Sequence, residues 1–245
     1  VRYLGGKQRQ AVDVVDAILY DLGAQPDYVL EPFCGGCSVT VEFAKRGIEV
    51  DASDAHPALI ALWQAVAAGW KGPTSVTQAE FDAARELPDS DPLKAFIGFG
   101  CSFAGVYFAS FADKGEGRSS AMAAKRSLAR KMKTMRPFVD FSTRSFFDIV
   151  PSRSLRGVPI YCDPPYANTE KYRGMEPFDS LKFWRHARAL AKQGAVVYVS
   201  EYTAPDWATV IYEMPRKVMS RPTKVGDKRD GHGAVECLFA VGGSR

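Results

Sequence analysis

The sequence predicts an α/β fold: a mostly parallel sheet of nucleotide-binding type, interrupted by a mostly helical insertion and finished by a C-terminal antiparallel strand pair. Three observations carry this. Residues 28–54 read as strand, glycine turn, helix, strand and acidic residue, the layout of a nucleotide-binding βαβ unit. From Gly69 to Pro137 the alternation of strand and helix lapses, and from Phe138 it resumes. The last two apolar runs, Val210 to Met214 and Ala234 to Val241, flank a polar, basic loop and pair as strands.

Taken in order, Gly6 to Leu22 predicts a helix opened by a glycine-rich turn. Val12, Val15, Ile18, Leu19 and Leu22 recur at the helical period, and Gly23 and Pro26 end it. Tyr28 to Leu30 is a short strand leading into Glu31-Pro32-Phe33-Cys34-Gly35-Gly36-Cys37. A helix follows from about Ser38 to Arg46, and Ile48 to Ala52 is the next strand, ending at Ser53-Asp54. Gly35 and Gly36 let the backbone approach a ligand where no side chain would fit. Asp54 lies where a carboxylate accepts from ribose hydroxyls. The spacing is not G-x-G-x-x-G and no Walker lysine is present, which favours a nucleoside over a dinucleotide or triphosphate. Pro57 to Ala68 reads as a helix. Within 69–137, Gln78 to Leu87, Leu93 to Gly98 and Ser120 to Met135 are helix-like. They surround a stretch with Phe99, Phe103, Tyr107, Phe108 and Phe111. Strands are expected again at Phe138 to Phe141, Val158 to Cys162 and Ala195 to Val199, with a helix over Ser180 to Gln193. Ser145-Phe146-Phe147-Asp148 stands where an adenosyl ring would lie.

Composition narrows the classes. The 245 residues suit one domain, or one with an insertion. No apolar run reaches the roughly 18 residues of a membrane span, and Val1-Arg2-Tyr3-Leu4 opens no secretory signal. Five cysteines, an odd number, imply a reducing, cytoplasmic setting. Cys34-Gly35-Gly36-Cys37 has no second C-x-x-C and no histidine pair at ligand spacing, so no metal is expected. The net charge of +4 is mild, but it is unevenly spread. Arg118 to Arg136 holds Lys125, Arg126, Arg130, Lys131, Lys133 and Arg136 without an acid, and Arg216 to Arg229 includes Arg221 and Lys224. Two basic segments on a near-neutral chain point to a polyanion, and basic charge beside aromatics suits nucleic acid.

The most informative stretch is Asp163-Pro164-Pro165-Tyr166, at the carboxyl end of a strand. Ligands of open α/β sheets bind at that edge. Asp163 and a neighbouring carbonyl offer two acceptors on a shelf stiffened by prolines that lack N–H donors. Tyr166 adds a flat face. Two acceptors beside an aromatic plate fit a planar ring bearing an exocyclic NH2. With both hydrogens held, the nitrogen can pyramidalise, and positive charge growing on it is stabilised by the carboxylate.

Tyr3-Leu4-Gly5-Gly6-Lys7, Glu31-Pro32-Phe33-Cys34-Gly35-Gly36-Cys37-Ser38, Ser53-Asp54 and Asp163-Pro164-Pro165-Tyr166, in this order, resemble the Dam-like (D12 class, α-group) DNA adenine-N6 methyltransferases. The resemblance runs from residue 2 to about residue 240. It implies a seven-stranded, Rossmann-like S-adenosylmethionine-dependent methyltransferase sheet. The catalytic domain would comprise 1–68 and 138–245, with an inserted target-recognition, DNA-binding domain over 69–137. It implies methyl transfer from S-adenosyl-L-methionine to N6 of a flipped adenine in double-stranded DNA, leaving S-adenosyl-L-homocysteine. By position, Tyr3, Gly6, Lys7, Glu31, Phe33, Gly35, Asp54, Phe146 and Asp163 would hold the cofactor, and Asp163, Pro164 and Tyr166 would form the catalytic turn. Lys125, Arg126, Arg130, Lys131, Lys133, Arg221 and Lys224 are the expected phosphate contacts. Two positions depart from the family pattern. Cys37 stands where glycine or another small residue is usual, and His56 where asparagine is frequent. The Val-Tyr-Val-Ser-Glu-Tyr segment after Ala195 looks like phage and prophage members, which implies the cytoplasm of a bacterial or phage-infected cell. Any restriction endonuclease would be a separate chain, and the assembly a monomer or homodimer. Other readings are a methyltransferase for cytosine N4 or RNA adenine, and a non-catalytic DNA-binding relative. A nicotinamide oxidoreductase is disfavoured by the missing G-x-G-x-x-G.

Overall fold

The computed structural model describes residues 6–113, 119–150, 152–165, 178–214 and 235–242. Its strands are β1 (Tyr28–Glu31), β2 (Glu49–Asp54), β3 (Val139–Thr143), β4 (Pro159–Cys162), β5 (Val196–Glu201), β6 (Thr209–Met214) and β7 (Glu236–Val241). They form one sheet in the order β3-β2-β1-β4-β5-β7-β6. β1 to β5 are mutually parallel, whereas β7 runs antiparallel to both β5 and β6. This is a Rossmann-like arrangement, five parallel strands followed by an antiparallel pair. The final pair is antiparallel as expected, but β7 is inserted between β5 and β6 instead of extending the edge. β7 is accordingly the more buried of the two.

Strand composition explains the layering. Parallel strands are covered on both faces and read as continuous apolar runs. β4, Pro-Ile-Tyr-Cys, is buried throughout. Its alternate residues point to opposite faces. Tyr161 joins one core cluster with the inner faces of α1 (Ala11–Leu22), α2 (Ser38–Lys45) and α3 (Pro57–Ala67). Ile160 and Cys162 join the other, with α7 (Ser180–Lys192).

The first helix begins later than its sequence period predicts. The Lys7 carbonyl accepts from the N–H groups of Gln10 and Ala11, so residues 8–10 form a turn and α1 starts at Ala11. Gly6 and Lys7 therefore stay outside the helix, where the Lys7 side chain can reach the sheet edge. Gly23 ends α1 in the left-handed conformation, its N–H returning to the Leu19 and Tyr20 carbonyls.

The insertion carries α4 (Gln78–Ala83), α5 (Pro92–Gly100) and α6 (Ser120–Met135). Between α5 and α6, Ser102 bridges Phe111 in antiparallel fashion. The Phe103 N–H donates to the Ser110 carbonyl and the Ala112 N–H to that of Cys101, closing a short hairpin-like loop. Most of its aromatics are spent on packing: Phe99, Phe108 and Phe111 are buried, while Phe103 is 68 % exposed beside Ala104, which has a φ of 56°. Phe81, Phe96, Phe99, Leu128 and Met132 belong to the same cluster as Val14, Phe43 and Trp63, so the insertion shares the core of the sheet's helical layer.

One contact in that layer leaves no room for growth. A Cβ on Gly98 would come within 2.5 Å of the Tyr107 ring and 2.8 Å of Phe108. Overpacking of this kind costs about 1–3 kcal/mol. Gly98→Ala is expected to lower the melting temperature by about 2–12 °C in a chain of this size, at about 2–4 °C for each kcal/mol, measured by calorimetry. An unshifted transition would show that the two rings move aside freely.

Candidate active site

Three turns meet at the carboxyl edge of the parallel strands. β1 ends at Glu31 and runs into the glycine turn, β2 ends at Asp54, and β4 delivers Asp163. The register pairs Glu31 with Ala52 and Leu30 with Ile160, so the three acids lie along one rim.

The glycine turn is clamped from three sides. The Gly35 N–H donates to Asp54 Oδ2 at 3.0 Å, and Trp63 Nε1 donates to the Gly35 carbonyl at 3.0 Å. The Lys131 ammonium donates to the Gly36 carbonyl and lies 3.5 Å from Ser38 Oγ. Gly35 has a φ of 46° and Cys37 one of 53°. Cys37 thus holds a left-handed conformation that glycine adopts without steric cost. Cys37 also closes the turn, its N–H donating to the Cys34 carbonyl at 2.7 Å. Contact with the Cys37 thiol, and then burial, hold the Cys34 thiol well above its ordinary pKa.

Both carboxylate oxygens of Asp54 are tied to the backbone. Its Oδ1 accepts from the His56 N–H at 2.9 Å, while Oδ2 serves Gly35. Burial raises its pKa to about 6, against the pull of these backbone donors. A carboxylate has about four lone-pair sites, so acceptor capacity remains. His56, the other departure from the pattern, caps α3 by accepting from the Leu59 N–H and packs its ring on Tyr107 and Phe99.

Glu31 is 2 % exposed, and burial pushes its pKa up to about 8, opposed by neighbouring Thr40 and by the Lys131 charge. Its Oε2 and the Thr40 hydroxyl have no hydrogen-bond partner among the described residues. Beside the glycine turn, one carboxylate oxygen and one hydroxyl are thus left with polar capacity that the described residues do not fill.

Lys7 is the centre of the second half of the site. Only 3 % exposed, it pairs with Asp163 Oδ1 at 2.5 Å and with Glu236 Oε1 at 2.9 Å. Burial alone would depress its pKa, but the carboxylates of Asp163 and Glu236 outweigh that and raise it. Pro164 is buried behind Asp163.

The aromatic residues divide by depth. Phe146 is 2 % exposed and packs 5.5 Å from Phe33 and 4.9 Å from Phe183. Phe33 is only partly buried, as are Phe147 and Phe178, which pack against the same cluster. Gly6 is exposed at the mouth of the N-terminal turn.

The basic residues divide as well. Arg126, Arg130 and Lys133 are exposed at spacings of four and three along α6, forming one outward stripe, and Lys125 is partly buried beside them. Lys131 is not among them. It is 8 % exposed, and its ammonium is consumed by the glycine turn, which leaves it unable to meet phosphate. Tyr3, Tyr166, Arg221 and Lys224 lie outside the described residues. Sequence reasoning missed Trp63 and Glu236. The signal for Glu236 was a carboxylate opening an otherwise apolar strand, and that for Trp63 an indole in a helix whose one polar residue is Gln64.

Residues 3–92 match the model of the D12 class N6 adenine-specific DNA methyltransferase family. The match spans the N-terminal motif, the glycine turn and Asp54, and it bears out the resemblance read from the motifs. The family's activity is methylation of adenine in DNA. A search of curated proteins returned no match. Among the described residues, no helix is long and apolar enough to cross a membrane and no cluster of metal-ligating side chains occurs.

The Glu31 burial has a consequence for stability. Its carboxyl ionises near pH 4.5 when unfolded and near 8 when folded. Its protonated form is therefore accommodated below about pH 4.5, and stability is lost as pH rises through about 8. Glu31→Gln removes this dependence. Relative to wild type, the variant is expected to gain a few kcal/mol between about pH 5 and about pH 9, measured by urea unfolding. Parallel curves for the two proteins would contradict the assignment.

Proposed function

We propose that this protein transfers the methyl group of S-adenosyl-L-methionine to N6 of an adenine flipped out of duplex DNA. The observation that carries the reading is the rim itself: a clamped glycine turn with a buried, unsatisfied Glu31 on one side, and an acidic turn held by Lys7 on the other. The residues present fit the cofactor. Glu31 Oε2 and Thr40 would accept from its ammonium, Asp54 from its ribose hydroxyls, and Phe33 would cover its ring. When bound, it supplies a methyl group on a positively charged sulfur.

The chain's own residues do the rest. Adenine N6 is inaccessible in stacked duplex, so the base must leave the helix, at a cost of a few kcal/mol. Tyr166 would stack on the extruded ring. Asp163 and a carbonyl of its turn would accept both N6 hydrogens and turn the lone pair toward the methyl group. As positive charge builds on nitrogen, the Asp163 carboxylate stabilises it, and the N6 proton then passes to Asp163 or water. The insertion over 69–137 would be the DNA-contacting part, with Arg126, Arg130 and Lys133 on phosphates and Phe103 exposed on its loop. Phosphate contacts position the enzyme without specifying sequence.

Incubating unmodified duplex DNA with protein and cofactor, then analysing nucleosides by mass spectrometry, tests the reading. N6-methyladenine is expected. N4-methylcytosine, methylation of RNA alone, or unmodified nucleosides with DNA still bound would each support a rival. Asp163→Ala should cut turnover about 100- to 1,000-fold, as removal of a group that stabilises the transition state does, with much of the cofactor binding spared. Wild-type turnover in that variant would remove Asp163 from the chemistry. Replacing Arg126, Arg130 and Lys133 by alanine should weaken binding to all duplexes and flatten the salt dependence by about two to three units, near one for each phosphate no longer neutralised. Filter-binding titrations across salt concentrations read this directly, and an unchanged slope would place the DNA elsewhere.

A further inference from the structure

Glu236 belongs to none of the motifs, yet it completes the ion pair at the catalytic turn. It opens β7, whose direction opposes that of β5, so its first residues lie at the edge where β4 and β5 end. The pairing of Glu201 with Cys237 fixes that register. From there Glu236 Oε1 takes the Lys7 ammonium at 2.9 Å, while the same ammonium holds Asp163 at 2.5 Å. Glu236 is itself buried.

We propose that Glu236 is a positioning residue for methyl transfer, anchoring Lys7 against Asp163 and placing a carboxylate that makes this edge favour a sulfonium over a thioether. The inference rests on the function proposed above. An ammonium tied to one flexible carboxylate moves with it, whereas one tied to a second group on a buried strand has a fixed position. Asp163 is thereby held at one oxygen by a strut rooted in β7. In the transfer, the sulfur–methyl bond breaks with its electron pair kept by sulfur, and the N6 lone pair forms the new carbon–nitrogen bond. Nitrogen then gives up its proton to Asp163 or water. Positive charge leaves sulfur during this step, so a carboxylate at the rim attracts the donor and has less hold on the neutral product.

The test is a pair of binding constants, measured by calorimetry without DNA, for S-adenosylmethionine and S-adenosylhomocysteine. Glu236→Gln keeps the size and an acceptor but removes the charge. It should reduce the preference for the sulfonium about tenfold, the order expected of one unit charge in a partly buried site. Glu236→Asp should keep that preference within about threefold of wild type, since the charge remains. Equal weakening of both ligands, or an unchanged ratio, would make Glu236 a structural strut only and overturn the proposal. Thermal unfolding establishes that the variants are folded. If the glutamine variant is not, Glu236→Met carries the same comparison. Wild-type protein that binds neither ligand would sink the proposed function first, an outcome distinct from an altered ratio.

Discussion

One buried ammonium sets the geometry of the rim. Lys7 comes from the segment before α1, Asp163 from the end of β4 and Glu236 from the start of β7, and the lysine joins all three. Burying such a charge is costly unless it is paired and hydrogen-bonded. Removing any one partner would leave the others exposed to that cost, so the three segments are held in one arrangement. The late start of α1 follows the same logic. If the helix had continued back to Gly6, Lys7 would project from its barrel instead of reaching across the strand ends.

The opposite half of the rim obeys a different constraint. The glycine turn carries two residues at positive φ, Gly35 and Cys37, and its carbonyls face inward. Backbone acceptors away from water need donors. Trp63 supplies one from α3 and Lys131 one from α6, while Asp54 receives the Gly35 N–H. The turn is thus finished by groups from three separate elements, and its shape depends on the whole helical layer.

Much of this was legible in the chain. Apolar runs ending at Glu31, Asp54 and Asp163 located the parallel strands and the edge at which their acids gather, because strand burial and side-chain alternation are local properties. Tertiary pairing was less legible. Nothing local announces that a lysine near the N-terminus will meet a glutamate at the start of the last strand. Lys131 is the instructive case. By charge alone it is indistinguishable from Arg130 and Lys133. By helical phase, however, it falls on the stripe of Ala124, Leu128 and Met135, all buried, while Arg126, Arg130 and Lys133 share the opposite side. Phase, had it been applied to charge as well as to apolar residues, would have separated them. Phe146 shows the same limit: its aromatic character was readable, but not that it would be buried against Phe33.

Lys131 also bears on how such a chain can diversify. Because a helix of the inserted segment donates to the loop of the parent sheet, the segment is no detachable cassette. Transplanting residues 69–137 from a relative would carry away a fastener of the glycine turn, unless the donor brought an equivalent cation at the same helical phase. Chimaeras built by exchanging only the outward stripe and the exposed loop would keep that fastener in place.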